Sequence, residues 1–267
     1  MKTVIVIMTA AVFLSCALCT CCTCRAQADD FARAREMMMD TQVMSRGIKD
    51  PKILAAVAGV DRHKFVPEGM RQYAYEDISL PVGEGEAVPP AYFTALIAKM
   101  AEFGPGDKVL IIGIEAGYQA AVFSKLAGKI YCVEPSEKLA AEAGGRLDAL
   151  GYGGISIKSG SAESGWLEHA PFSVIVITNQ MDYAPKKAVD QLMMNGRIIM
   201  PMREYAGKKL IVMTKAPKDK DGYEMTAALV GPSAGEQPLG FPKKEQDKPD
   251  AKKWVKSKDG KWMKKNK

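Results

Sequence analysis

Between Lys108 and Met200 the chain repeats one pattern: a short, mostly apolar run, then a stretch with helical spacing. The runs are KVLII at 108–112, KIYCV at 129–133, ISIK at 155–158, SVIVI at 173–177 and RIIM at 197–200. Short apolar runs without polar alternation read as strands buried on both faces, which are parallel strands covered by helices. The intervening stretches 117–126, 136–150 and 186–193 read as helices, the second with Ser136 as its N-cap. Strand and helix alternating in this way predict a doubly wound, Rossmann-like α/β sheet. Lys209–Thr214 and Glu224–Leu229 follow with only a turn between them, so they add an antiparallel edge.

Short helices precede the sheet. Asp30–Ser45 has helical spacing and stops at Gly47. Asp50-Pro51 opens a second helix that runs to Val57, with proline at its first position. The stretch 59–91 is loop-like, and Tyr92–Phe103 forms a third helix. The body thus divides into a helical and loop region at 29–104 and an α/β core at 105–235.

The two ends carry most of the unusual composition. Lys2, the apolar run Val4–Leu14 and Ala26-Gln27-Ala28 have the order of a signal peptide, with cleavage expected after Ala28. The protein is then exported, to the periplasm or cell envelope of a bacterium. Five of the six cysteines (Cys16, Cys19, Cys21, Cys22, Cys24) lie in that leader, which leaves Cys132 and no internal disulfide. No metal site is expected. From Pro242 the chain holds eleven lysines and four acids, a net +7. The whole chain is +6, and the leader contributes Lys2 and Arg25, so residues 29–241 carry about −3. The segment 236–267 therefore reads as a solvated, disordered tail. It can alternatively contact an anionic surface through 243–267, or form a short hairpin around Asp259-Gly260. No specific nucleic-acid partner is expected.

A doubly wound sheet binds ligands beyond the carboxyl ends of its strands, at the topological switch. The relevant loops are 113–117, Glu134-Pro135, 160–163 and 178–183.

These loops carry a family resemblance. KDPKILAAVAGVDRHKFVP (49–67), RQYAYEDISLPVGEG (71–85) and PGDKVLIIGIEAGYQAAV (105–122) resemble protein-L-isoaspartate O-methyltransferases. IYCVE (130–134), LGY (150–152), GWLEHAPFSVIVIT (165–178) and NGRIIMP (195–201) continue the match in order. The resemblance covers roughly residues 35–230. It implies a class I S-adenosylmethionine-dependent methyltransferase fold, with seven strands of which one is antiparallel. It also implies methyl transfer from S-adenosylmethionine to isoaspartyl carboxylates in damaged proteins, the first step of their repair.

By the same resemblance, Gly113, Glu115, Gly117, Glu134 and Ser161 occupy cofactor positions. Glu86, Val88 and Thr178 fall in the substrate cleft, and Pro89 stands at the family's serine position. Several of these depart from the family pattern. An acid normally ends the first strand, and here it is Ile111. The middle glycine of Gly-x-Gly-x-Gly is Glu115. The acid of Gly-Asp-Gly is Ser161, with Glu163 close by. The hydroxyls of the Gln-Thr-Ile-Ser segment are missing from Glu86-Ala87-Val88-Pro89. Glu134 retains the acid that accepts hydrogen bonds from ribose. Glu115 brings a like charge beside a carboxylate-bearing ligand, or it receives the ligand's ammonium group, a role that Ile111 cannot fill. Two functions follow: an exported isoaspartyl methyltransferase with an altered site, or a catalytically silent relative that serves as a binding module in the envelope.

Overall fold

The computed structural model describes residues 30–178, 183–201, 210–218, 222–230, 254–256 and 262–264. The leader 1–28 and most of the basic tail lie outside the described residues. Helix α1 spans 30–38 and widens into a π-helical turn at Met39–Met44. Helix α2, Pro51–Ala58, starts as its sequence predicts: Pro51 sits in the first turn and the Asp50 carboxylate accepts from Lys52 N at 2.8 Å.

The stretch 59–91 is more ordered than a loop. It holds 3-10 turns at Arg62–Phe65 and Glu68–Tyr73, and a hairpin of β1 (Leu80–Gly83) and β2 (Glu86–Val88). The strands are too short for periodicity to reveal them. Gly83, Glu84 and Gly85 all take positive φ in the turn. Helix α3 (Ala91–Ala101) follows.

The core then runs β3 (Lys108–Ile112), α4 (Tyr118–Phe123), β4 (Lys129–Glu134), α5 (Glu137–Ala149), β5 (Ser156–Ser159), β6 (Phe172–Ile177), α6 (Lys186–Asp190) and β7 (Leu192–Pro201). It closes with β8 (Leu210–Lys218) and β9 (Gly222–Val230). The seven-stranded sheet has the order β5-β4-β3-β6-β7-β8-β9. Neighbours from β5 to β7 are parallel, and β8 is antiparallel to both β7 and β9. The expected class is therefore observed, with β8 as its one reversed strand.

Two differences have local causes. β7 begins at Leu192 rather than Arg197, and α6 is correspondingly shorter. The register of β7 against β6 slips between Phe172 and Val174, and Asn195 has φ +63° in the extra length. Leu192-Met193-Met194 are apolar and continue the helical reading of 186–193, and Asn195-Gly196 read as a turn, so the bulged start of the strand leaves no strand signal. In the tail, β10 (Trp254–Lys256) and β11 (Trp262–Lys264) pair antiparallel, so the hairpin alternative holds for these six residues. Among the described residues no helix is long and apolar enough to cross a membrane.

Strand alternation divides the core. Val109, Ile111, Cys132, Val174 and Val176 point to the face covered by α2, α3 and α4. Leu110, Ile112, Val133, Ile175 and Ile177 point to the face covered by α6 and the Trp166 segment. Both sides are buried, as apolar runs without alternation require. The order reverses at β3, whose neighbours β4 and β6 lead to opposite halves. This places the switch at Ile112–Gly113.

Lys215 on β8 closes the second face. Its ammonium donates to Val189 O at 3.1 Å and Leu192 O at 2.7 Å, at the carboxyl end of α6, and lies 4.5 Å from the Tyr223 ring centroid. Charge-assisted bonds to helix-end carbonyls are among the stronger ones. Lys215→Met strips both carbonyls of their donor, so urea denaturation is expected to show a loss of about 2–3 kcal/mol.

Candidate functional site

The site is a loop held from four directions. Gly113 N donates to Val133 O at 2.8 Å, across to β4. Thr178, at the end of β6, places its hydroxyl 3.2 Å from Ile112 O and 3.1 Å from Gly113 O, and its own N–H donates to Ile112 O. Arg146 of α5 donates to Ala116 O at 3.0 Å. The fourth tie is Glu134. Its Oε2 accepts from Ile114 N at 2.8 Å and its Oε1 from Ser136 N at 3.0 Å. The Glu134 residue is only 4 % exposed.

Within this frame the loop alternates. Gly113, Glu115 and Gly117 all have positive φ: +92°, +53° and +88°. Gly117 is needed for space as well, since a Cβ there would sit 3.0 Å from Leu147 Cδ1. Glu115 is the one side chain forced into the left-handed region here, which costs a non-glycine residue about 1 kcal/mol or more. It is also 8 % exposed. Among the described residues its carboxyl group makes no hydrogen bond or ion pair. Burial pushes that carboxyl well above the ordinary carboxylate range, Glu86 and Glu134 push it further, and Arg62 opposes them. Glu86 is half-buried on β2, and its carboxyl is raised by burial and then by Glu134.

Arg62 is fully buried between the hairpin and α4. Its Nε donates to Ala74 O at 2.7 Å and its Nη2 to Val88 O at 3.4 Å, with the guanidinium 4.8 Å from the centroid of the Tyr118 ring. Arg62 Nη1, Tyr118 Oη and Gln119 Oε1 are buried without a hydrogen-bond partner among the described residues. Sequence reading did not single out Arg62. A buried arginine has no periodicity signal, and DRHKF looks like any charged turn.

The remaining candidates spread around this centre. Val88 is buried and offers its carbonyl to Arg62, whereas Pro89 is half-buried just before α3. The hairpin is pinned to α5 by Lys138–Glu84 at 3.1 Å. Ser161 is exposed, and its Oγ accepts from Glu163 N at 3.2 Å. The Glu163 carboxylate accepts from the Tyr183 hydroxyl at 2.9 Å. Gly160 N donates to Glu134 O at 2.9 Å, so the third loop joins the same end of the sheet. Ile111 is packed in the core at 1 % exposure and offers no polar group.

The comparisons with known proteins agree with this architecture. The family model for protein-L-isoaspartate(D-aspartate) O-methyltransferase matches residues 33–230. The chain belongs to that family.

Protein-L-isoaspartate O-methyltransferase 2 of Shewanella sediminis is 36 % identical over 208 residues, covering 78 % of this chain and 85 % of that protein. The Pelobacter propionicus protein of the same name is 42 % identical over 168 residues, 63 % of this chain and 75 % of the other. A solved protein-L-isoaspartate O-methyltransferase superposes with a TM-score of 0.63 at 25 % identity, covering 75 % of this chain and 64 % of that one. A Plasmodium falciparum chain described as a protein-L-isoaspartate O-methyltransferase, solved with S-adenosyl-L-homocysteine, shares the fold at 17 % identity and a TM-score of 0.55. It covers 75 % of this chain and 90 % of that one.

For a member of this family, the donor set can be tested against an adenosyl cofactor. The ribose end fits: Glu134 is an acid at the carboxyl end of β4, oriented by two amides and with acceptor capacity left over. The amino-acid end is altered, because the loop keeps its glycine geometry but carries the Glu115 side chain. Among the described residues no cluster suited to a metal ion occurs.

The cost of Glu115 is measurable. Glu115→Gly relieves the left-handed strain and removes a buried acid, and is expected to raise the unfolding free energy by about 1 kcal/mol or more. Because the Glu115 carboxyl is raised in the folded state, that state holds its proton to higher pH than the unfolded chain does. Its contribution is therefore full below the unfolded value near 4.5 and is lost as pH rises toward the folded value. Glu86 acts with the same sign. Glu115→Gln should flatten the fall of stability with pH by up to one proton's worth, read from denaturation midpoints between pH 5 and about pH 9.

Proposed function

We propose that this protein transfers a methyl group from S-adenosylmethionine to the side-chain carboxylate of isoaspartyl residues. One observation carries the reading: Glu134, buried and held by Ile114 N and Ser136 N, presents an oriented carboxylate at the switch point of a fold matched to this family. When bound, S-adenosylmethionine supplies an electrophilic methyl group. The chain's residues bind and position. Glu134 would accept from the ribose hydroxyls, the backbone of 113–117 would hold the amino-acid end, and Ser161 would serve the base. The hairpin and Pro89 border the acceptor side. Pro89 brings neither a hydroxyl nor an N–H to the acceptor, so this chain has fewer groups to orient the isoaspartyl carboxylate, and orientation is what such a transfer depends on.

The proposal extends to location: residues 1–28 direct export and are removed after Ala28, and the lysines of 243–267 meet anionic surfaces. Mass spectrometry of the protein from the envelope fraction checks the first, with Asp29 as the expected N-terminus.

The function is tested by calorimetry with S-adenosylhomocysteine and by methyl-ester formation on an isoaspartyl peptide against its aspartyl counterpart. Binding, with ester formed only on the isoaspartyl peptide, is the expected result. Glu134→Ala should weaken binding tenfold or more, at the scale of hydrogen bonds to a charged group, about 1.5–3 kcal/mol. Absence of heat at near-millimolar ligand overturns the enzyme reading in favour of a silent binding module, which the replacements at Pro89 and Glu115 would suit.

A further inference from the structure

We infer that the β10–β11 hairpin is a docking face that seats the protein on a bilayer rich in anionic phospholipid. This rests on the proposal that the tail meets anionic surfaces, and it names the surface and the residues. It does not depend on the methyltransferase reading. The family match ends at residue 230, so the hairpin belongs to a part of the chain that the family does not account for. The charge of the tail is also unevenly placed. Residues 242–251 hold three lysines and three acids, whereas 252–267 hold eight lysines and Asp259 alone. The whole +7 therefore falls on the hairpin and its immediate flanks. The same segment carries Trp254 and Trp262, two of the three tryptophans in the chain. A tail that only solubilises is poor in aromatic residues, so charge alone does not explain this composition.

Strand pairing turns the composition into a surface. Trp254 stands opposite Lys264, Val255 opposite Met263 and Lys256 opposite Trp262. Residues opposite each other share a face of an antiparallel ribbon, and so do residues two apart along a strand. Trp254, Lys256, Trp262 and Lys264 therefore belong to one face, and Val255 and Met263 to the other. On the first face each tryptophan has a lysine across from it and another two residues along. Indole rings settle at the headgroup level of a bilayer, and lysines beside them meet lipid phosphates. The alternation of the two on one face matches that layer.

A lipid surface fits better than a nucleic acid. Strands of three residues span only about 10 Å, so the ribbon offers a patch and not a groove that follows a phosphate backbone. Residues 29–241 carry about −3 and add no excess of positive charge to lengthen it. The export proposed above also brings the chain to lipid headgroups. Within the fold, β10 approaches β9, the outer strand of the sheet. That strand is four places from β3, or about 19 Å at the usual strand spacing. Docking at this edge does not use the crevice at Ile112–Gly113.

Vesicle co-sedimentation tests this on the chain from Asp29 to Lys267, which contains every described residue. Vesicles of phosphatidylglycerol and phosphatidylcholine should bind about tenfold or more tighter than phosphatidylcholine alone, and raising salt from about 50 to about 300 mM should weaken that binding by a similar factor. The double variants Lys256→Gln with Lys264→Gln, and Trp254→Ala with Trp262→Ala, should each lose about tenfold or more. A second readout does not depend on how well the alanine variant folds. Brominated lipid should quench the tryptophan emission of wild type, and Trp254→Phe with Trp262→Phe should abolish the quenching, since only Trp166 remains. Vesicle binding without quenching overturns the docking face. Binding to single-stranded DNA or heparin as tight as to anionic vesicles, again without quenching, overturns the lipid inference and leaves the broader anionic-surface proposal standing. Failure to bind vesicles, DNA and heparin at low salt overturns both. The methyl-ester assay and the N-terminus found by mass spectrometry decide the enzyme and export readings separately.

Discussion

The Glu134 carboxylate joins the two halves of the site. One oxygen takes the amide that opens the loop after β3, and the other takes the amide that caps the start of α5. Without it, Ile114 N and Ser136 N would be left at the end of a buried sheet with nothing to receive them, at a cost of about 1–3 kcal/mol each. The same oxygens retain unused lone pairs beyond the two amides they hold. The other three ties, at Val133 O, Thr178 and Arg146, hold the loop in the place Glu134 defines. Thr178 thus braces the loop backbone with its hydroxyl.

Around this anchor the charges are uneven. Glu86 and Glu134 both raise the Glu115 carboxyl, and the opposing charge is the buried Arg62. Arg62 uses Nε and Nη2 to tie Ala74 and Val88, with its guanidinium against the Tyr118 ring, and so sets where the hairpin sits, while its Nη1 has no hydrogen-bond partner among the described residues. The Lys138–Glu84 pair adds a second tie, but it is exposed and screened by solvent, so it contributes little. The hairpin's position therefore depends on a buried arginine more than on surface charge.

Much of the fold is legible in the sequence because parallel strands leave a plain signal. KVLII, KIYCV and SVIVI are apolar at successive positions, which only a sheet covered on both faces demands. Asp50-Pro51 and Ser136 state their helix starts directly. What is not legible has physical reasons. β1 and β2 are four and three residues long, below the length at which alternation can be recognised. The first half of β7 is bulged, and its apolar Leu192-Met193-Met194 followed by Asn195-Gly196 reads as a helix end and a turn. In the site, Gly113, Gly117 and Glu134 stand out from strand-end position and residue type. Arg62 does not, because its role comes from burial against three segments distant in sequence.

Glu115 lies between these cases. Its identity stands out in the sequence, but its consequence does not. A glutamate at a glycine position reads first as a clash of like charges in a ligand pocket. That argument assumes an ionised, solvent-facing carboxyl. The structure changes both premises: the group is buried, and burial favours its neutral form. The loop keeps the backbone of a glycine turn at every alternate position while one of those positions has gained a functional group.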